Sequence, residues 1–466
     1  MKLAIHGAAH TVTGSKHLLE LQSGKKVLLD CGMFQGMGKD TETLNTNWGF
    51  EPSQIDYVIL SHAHIDHSGL LPKLVKDGFT GPIFCTAGTA DLVEILLPDS
   101  AHIQQADTEH VNKRRRKQSR REVEPIYSLE DAERVIPMLH RLDYDRPFRI
   151  SDELEVLFTD CGHIVGSAAI NLKITEGKRI IHFTFSGDIG QQHALMLRSP
   201  KPFPQADYIV MESTYGNSLH DPVSVKADKF LEFIQQTCLQ KKGRLIIPAF
   251  SIGRTQEILY LLNQLDLEGR LPALEYFVDS PLSISATKVA RAHPESFNDE
   301  VQKTIQGDQD IFSFKGLQLI KEAQQSIALN EYKKPCVIIS ASGMAEAGRV
   351  KHHIVHGIED PRNTILLTGY CEPHSLGGRL IEHPATVNIY GQEYEVKARI
   401  ASLKSLSAHG DYEDLCKWLE CQDSGKVKKL FLVHGEYRVQ QAFRERLLQR
   451  GFSEVEIPLQ HQQFEL

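Results

Sequence analysis

Short apolar runs that stop abruptly at a titratable residue recur along this chain. Lys26-Val27-Leu28-Leu29 leads into Asp30-Cys31-Gly32, and Tyr57-Val58-Ile59-Leu60 into Ser61-His62-Ala63-His64-Ile65-Asp66-His67. The pattern returns at Leu154 to Phe158 before Asp160-Cys161-Gly162-His163, and at Arg179 to Phe185 before Ser186-Gly187-Asp188. It returns again at Tyr208 to Met211 before Glu212-Ser213-Thr214, and at Lys429 to Val433 before His434. Such runs, bounded by turn-forming residues, predict buried strands. In packed sheets their ends collect at one edge, where loops can build a site. A single Asp or His after a strand is ordinarily a turn former or a cap. Six strand ends converging on one His-rich loop predict chemistry instead.

From Asp221 to about Pro384 the texture changes to alternating buried strands and helices. Gly243 to Phe250 predicts a strand, Arg254 to Gln264 an amphipathic helix, and Leu274 to Val278, Pro335 to Ile339 and Thr364 to Leu367 further strands. This is the rhythm of a parallel sheet flanked by helices. Because the strand before His434 follows this block yet matches the earlier ones, the expected layout is one sandwich-like domain, residues 1–209 and 395–466, interrupted by a second, residues 210–394.

Composition agrees with that layout and narrows the setting. A chain of 466 residues is too long for one ordinary core. Apolar content of 41% and charged content of 24% are those of a soluble globular protein. The N-terminus lacks a signal-peptide core and no run of about 18 apolar residues occurs, so a cytoplasmic protein with no membrane partner is expected. Eight cysteines without C-x-x-C spacing predict small buried residues in a reducing compartment. Net charge is −8, so any polyanion must be gripped locally. The one strongly basic run is Lys113 to Arg121, in a polar stretch predicted helical from about Ala101 onward. It is either a solvated helix face or a phosphate-contacting patch.

Three imidazoles and a carboxylate within His62 to His67 suit zinc or another first-row divalent ion. Two sites can be assembled with sensible ligand counts: His62, His64 and His163 for one, and Asp66, His67 and His434 for the other. Asp188, with two oxygens, can bridge them. A paired-metal site of this kind activates water and stabilises both oxygens of a displacement, and open coordination positions imply catalysis. Asp30 is expected behind the ligands, orienting one of them or the nucleophile. His352, His353 and His356 have helical spacing but no Glu between them as in H-E-x-x-H, and predict a packed or surface helix.

The H-x-H-x-D-H run His62 to His67, followed by His163 and Asp188 at later strand ends, resembles the metallo-β-lactamase superfamily. More narrowly, the chain resembles the β-CASP nucleases over nearly its whole length. The resemblance implies an α/β fold: a metallo-β-lactamase αββα sandwich, with the inserted α/β β-CASP domain as a parallel sheet flanked by helices. It implies two Zn2+ per chain and a single-stranded RNA substrate. By resemblance Glu212 is the motif A acid, His409 in Ser407-Ala408-His409-Gly410-Asp411 the motif B histidine, and His434 the motif C residue, which places the chain on the RNA-processing side. The implied mechanism is attack by metal-bound hydroxide on the scissile phosphorus, with Asp66 among the catalytic ligands. His409, oriented by Glu212, protonates the leaving 3′ oxygen, and the products carry 5′-phosphate and 3′-hydroxyl.

The resemblance implies substrate contacts at Arg254 in Ser251 to Glu257 and at Ser340, Ser342 and Gly343 in Ser340 to Met344, the alternative being ordinary strand-to-helix turns. Arg379 is the fifth, in a segment from Gly369 that departs from the pattern of relatives. The chain ends about 30 residues past His434, which disfavours a processive 5′-exonuclease with an added C-terminal domain. The alternatives are a small-molecule phosphodiesterase or thioesterase on the same scaffold, which would not need so large an insertion, and a catalytically silent scaffold subunit, which would be expected to lose ligands. Pairing into a homodimer is left open.

Overall fold

Two seven-stranded sheets face each other across one apolar core. In spatial order the first comprises Gln462–Glu465, Lys2–Ile5, His17–Glu20, Lys26–Leu29, Tyr57–Ile59, Ile83–Thr86 and Leu139–Leu142. Its N-terminal strands pair antiparallel, and those from Lys26–Leu29 onward run parallel. The second sheet is Val455–Glu456, Lys429–Leu432, Tyr208–Met211, Arg179–Phe185, Ala168–Glu176, Leu154–Asp160 and Phe148–Arg149. These elements are described in a computed structural model covering residues 1–220, 223–308, 310–403 and 406–466. Asp221, where the change of texture was expected to begin, lies outside the described residues.

Alternation of side chains explains the layering. Along Ala168–Glu176, Ala168, Ile170, Leu172 and Ile174 point into the inter-sheet core beside Val27, Leu29, Ile59, Phe183, Phe185 and Phe431. Ala169 points the other way, against a helical layer that supplies Leu415, Trp418, Phe443 and Leu447. Opposite, the helices Leu71–Lys76 and Leu129–Val135 pack together, and the long helix Ala87–Lys117 lies against Ile83–Thr86 and Leu139–Leu142. This is the αββα sandwich expected from the sequence.

The chain divides into two units, one formed by Met1–Gln192, Arg198–Leu219 and His409–Leu466, the other by His193–Leu197 and His220–Ala408. The second unit is built on a six-stranded, wholly parallel sheet in the order Leu317–Leu319, Glu275–Val278, Cys336–Ser340, Arg244–Pro248, Thr364–Leu367 and Arg399–Ser402. Its central strands are buried on both faces, as a helix-covered parallel sheet requires, while the edge strands Leu317–Leu319 and Arg399–Ser402 are partly exposed. No helix among the described residues is long and apolar enough to cross a membrane. All eight cysteines are free thiols, and seven of them are buried.

Candidate metal centre

The candidate residues sit in the loops after strands, apart from Asp66 and His67 in the short helix Ile65–Ser68, and several of the turns have left-handed backbone. Asp30 follows Lys26–Leu29 with φ +59°, and His434 follows Lys429–Leu432 with φ +49°. Left-handed backbone at non-glycine positions costs on the order of 1–3 kcal/mol and concentrates at functional sites. Gly187, beside Asp188, has φ +56°, and a Cβ there would lie 2.6 Å from Ser61 Cβ. Gly162, beside His163, has φ +62°, and a Cβ would lie 2.2 Å from the Arg198 carbonyl. Only glycine meets both demands, so these loops pack directly on one another.

The seven expected metal ligands are brought together in two donor groups. His64 Nδ1 lies 3.2 Å from His62 Nε2 and 3.1 Å from His163 Nε2. Asp188 Oδ2 lies 3.4 Å from the His62 nitrogen and 3.5 Å from that of His163. In the second group, His67 Nε2 is 3.2 Å from His434 Nε2 and 3.2 Å from Asp188 Oδ1, and His434 Nε2 is 3.5 Å from Asp66 Oδ2. Asp188 thus gives one oxygen to each group.

The donor chemistry fits a pair of cations. Ligand atoms about 2.0–2.1 Å from a tetrahedral zinc stand roughly 3.3–3.4 Å apart, close to the edges measured here. Protons cannot satisfy the same arrangement, because one N–H on His64 Nδ1 can serve only one of the two nitrogens facing it. Asp188 Oδ1 is buried without a well-directed hydrogen bond and faces the His67 and His434 nitrogens at 3.2 and 3.7 Å, a placement that a cation among them would satisfy.

Hydroxyls behind the ligands set which ring nitrogen faces the centre. Asp30 is buried and accepts from the Ser61 backbone N–H, the Ser61 hydroxyl and His67 Nδ1 at 2.7, 2.8 and 2.6 Å. Having given its only proton to Asp30, Ser61 Oγ must accept from His62 Nδ1, 3.1 Å away. Thr214 Oγ1 repeats the device: it donates to the His434 carbonyl at 3.2 Å and accepts from His434 Nδ1 at 3.0 Å. His62, His67 and His434 are thereby all held with Nδ1 turned to a partner behind them and Nε2 facing the centre, the nitrogen left to meet a cation. Ser61 and Thr214 were not singled out from sequence.

His409 stands beside this cluster, with Nδ1 3.0 Å from Glu212 Oε1 and 3.9 Å from Asp188 Oδ2. Glu212 is completely buried and also accepts from the backbone N–H groups of Ile189 and Thr214. Its oxygens are therefore occupied, although Asp188, Glu212, His409 and His434 also converge closely enough to be considered as a third metal-holding group. His62, His67, His163, Asp188 and His434 are buried, while His64, Asp66 and His409 keep some exposure, so the site opens on their side.

Burial holds His64 below the ordinary histidine range, takes His62 down to about 3 and places His163 well below. Burial opposes charge on Asp188 and Asp66 too, but the surrounding histidines, His434 foremost, pull both carboxyls below their usual range. Burial likewise disfavours charge on His67, yet Asp188 and Asp30 drive it well upward. His409 is raised to about 9: burial lowers it, and the charges of Glu212 and Asp188 overcome that. Without a metal, the carboxylates therefore gather protons onto His67 and His409, the response of a site built for positive charge.

The Beta-Casp domain family matches residues 255–380, the Zn-dependent metallo-hydrolase RNA specificity domain residues 393–458, and the metallo-beta-lactamase superfamily residues 17–133. Ribonuclease TTHA0252 of Thermus thermophilus is 35% identical over 455 residues, covering 97% of each chain. The chain belongs to the β-CASP family of metallo-β-lactamase-fold RNA nucleases. An RNase J-like protein of Methanocaldococcus jannaschii is 30% identical over 439 residues, 93% of this β-CASP chain and 92% of that one. Transcription termination factor FttA of Methanosarcina mazei is 28% identical over 422 residues, 88% of this chain and 63% of that protein. A solved structure of a protein of unknown function from Enterococcus faecalis V583 shares the fold, with a TM-score of 0.54 at 11% identity, covering 100% of this chain and 99% of that one.

In the β-CASP unit the expected substrate contacts gather at the ends of the parallel strands, where Pro248 and Ser340 are register partners. The Ser340 hydroxyl donates to the Asp279 carbonyl, and Arg254 pairs with Glu257 at 2.6 Å, both side chains buried. Ser342 Oγ exchanges hydrogen bonds with the backbone of Ala347, and a Cβ on Gly343 would lie 2.5 Å from the Phe250 ring. The helix Leu376–Ile381 starts against this loop through Gly377 N–H to the Met344 carbonyl, and Arg379 within it donates to the Asn388 carbonyl. His353 is buried with Nε2 hydrogen-bonded to Asp279 Oδ2 at 2.6 Å, while His352 and His356 are exposed.

Proposed function

We propose that this chain is a zinc-dependent ribonuclease, with two ions per chain, cutting single-stranded RNA to leave 5′-phosphate and 3′-hydroxyl ends. The observation that carries the reading is the His409–Glu212 pair standing beside two donor groups that share Asp188. His62, His64 and His163 would hold one ion, Asp66, His67 and His434 the other, and Asp188 both. When bound, such ions activate water and stabilise charge developing on a phosphoryl group.

The protein's own groups account for the rest of the step. With Nδ1 committed to Glu212, the transferable proton of His409 is on Nε2, and its raised proton affinity keeps it loaded at neutral pH. That proton goes to the leaving 3′ oxygen. Glu212, fixed by three donors, keeps the imidazole oriented and stabilises its charged form. Ser61, Asp30 and Thr214 hold the ligand rings in place before substrate arrives. Ser342, Gly343 and Arg379 remain proposed RNA contacts, whereas Arg254 and Ser340, expected in the same set, are engaged internally and are proposed to act by shaping the strand-end loops. The activity is assigned to the cytoplasm, where RNA and reduced thiols coexist.

The test is incubation of 5′-labelled single-stranded RNA with the purified chain, with and without chelator, followed by end analysis. Chelator-sensitive cleavage yielding 3′-hydroxyl ends is expected. Chelator-insensitive cleavage, or 3′-phosphate or 2′,3′-cyclic ends, contradicts the proposal.

A further inference from the structure

The long helix Ala87–Lys117 joins the metal-site loop to a structured cationic tip. At its start, Thr86 and Thr89 hydroxyls donate to the Gly166 carbonyl at 2.5 and 2.8 Å, within the loop whose Ser167 hydroxyl accepts from His163 N–H. At about 1.5 Å per residue, the helix from Thr89 to Lys113 spans at most about 36 Å. Its far end carries Lys113, Arg114, Arg115, Arg116 and Lys117, and Arg120 and Arg121 follow at once.

This tip is a built feature. Ser119 turns the chain with φ +52°, and Arg120 N–H returns to the Arg115 carbonyl at 2.9 Å. Arg115 Nε donates to the Arg121 carbonyl at 2.5 Å. Asn112, 7% exposed, clamps Val123 through two amide hydrogen bonds of 2.9 Å each. The buried Tyr127 hydroxyl then fixes the returning segment to Ser100 at 2.8 Å. Arg120 and Arg121 are thus held against the last helical turn, and all the cations of the tip except half-buried Arg115 are exposed.

Residues 113–124 contain seven cations and two carboxylates, a local +5 in a chain of net −8, leaving −13 for the remainder. One carboxylate, Glu122, reaches Arg116 at only 3.7 Å with both side chains more than half exposed, so it neutralises little. Complementing the helix dipole takes one or two cations. More than that is self-repelling, since Lys113–Lys117 and Lys113–Arg116 are like-charge pairs at i,i+4 and i,i+3. The stretch Lys113 to Arg121 contains no apolar residue, so it offers nothing to insert into a bilayer or to bury against a protein. Five of the seven cations are arginines, whose planar forks suit phosphate oxygens.

We propose that this tip is a distal anchor for the phosphodiester backbone of single-stranded RNA, held up to about 36 Å from the metal-site loop. At about 3.4 Å per stacked nucleotide this is a reach of roughly ten nucleotides. The inference rests on the ribonuclease reading above. It makes affinity depend on RNA length, with short strands reaching the metal centre alone and longer ones engaging both.

The experiment compares a fluorescent U5 and U20 on the full chain, in a His409→Ala background so that RNA persists, from 50 to 300 mM KCl. With Lys117→Gln/Arg120→Gln/Arg121→Gln added, U20 affinity at 100 mM salt is expected to fall roughly 10- to 100-fold. The slope of log K against log salt should become shallower by about 2, as loss of three phosphate contacts on a single strand requires. U5 binding should stay unchanged, and Arg120→Lys/Arg121→Lys should retain the parent slope. An unchanged U20 slope and affinity, or equal losses for U5 and U20, overturns the anchor. So does a variant that loses binding to phosphatidylglycerol vesicles while keeping U20. If the parent binds neither RNA, the ribonuclease reading itself fails.

Discussion

Replacing Glu212 by Gln isolates the group that keeps His409 protonated. His409 is raised from an ordinary value of 6.5 to about 9, and Glu212 makes the largest favourable contribution, against the opposing effect of burial. The whole shift corresponds to about 3 kcal/mol in favour of the protonated ring. Bound cations would offset the charges of Asp188 and Asp66, leaving Glu212 as the principal support. With a neutral amide in its place, burial is unopposed and the pKa should drop to 6.5 or below. A drop from about 9 to 6.5 takes the loaded fraction at pH 7.5 from about 97% to about 9%; with cations bound the starting value is lower, so the expected loss in a proton-donation step is up to about tenfold.

The assay is single-turnover cleavage from pH 5.5 to 10 with metal content measured in parallel. The alkaline limb should lie at clearly lower pH in the variant than in the wild type, and activity should recover on acidification. Because the folded pKa is raised, the associated stability is fully present below about 6.5 and is lost as pH rises through about 9, so the metal-free wild type should also weaken over that window. The side chain is only 18% exposed, so solvent screening does not erase the effect. An alkaline limb that stays in place in Glu212→Gln, with metals retained, refutes the role assigned to this pair.

Asp66→Ala should abolish cleavage and reduce metal occupancy, because it removes a charged donor from the second group. His409→Ala should slow cleavage roughly 100- to 10,000-fold with both metals kept; equal metal loss in the two variants would show that His409 is a ligand. Thr214→Val should weaken metal binding at the His434 group about 10- to 100-fold by freeing its ring, and Thr214→Ser should restore it, both read by competition with a chromophoric chelator. Gly187→Ala should lower the melting temperature without a bound ion, since the new methyl has both a left-handed backbone and Ser61 to contend with.

How much of this was readable from the chain differs by residue. Asp30, His163, Asp188, Glu212 and His434 were legible because each lies within a few residues of the end of an apolar run, and such runs become strands that end at one edge. Ser61 and Thr214 were not, because hydroxyl residues are common in turns and nothing in their spacing reveals which imidazole they will meet. The left-handed backbone at Asp30 and His434 likewise depends on what packs around the turn. Ser340 and Arg254 carried a substrate-facing expectation, and the fold turns their polar atoms inward, a matter of rotamer and neighbour.

The long helix shows the same limit. Its polar second half suggested a start near Ala101, yet it begins at Ala87 with Thr86 as cap and runs through Pro98. Ala90, Val93, Leu97 and Ala101 form its buried stripe, and packing outweighs the proline. The edge strand Gln462–Glu465 was missed for the opposite reason: its sequence is mostly polar, and pairing with Lys2–Ile5 alone makes it a strand.

Metal content of purified chain and of Asp188→Ala tests the central claim most directly, because one carboxylate is held to serve both donor groups. About two divalent ions per wild-type chain are predicted, with both sites weakened together in the variant and folding intact by circular dichroism. A folded wild type that binds one ion or none, or an Asp188→Ala chain that keeps two at unchanged affinity, would contradict the shared centre.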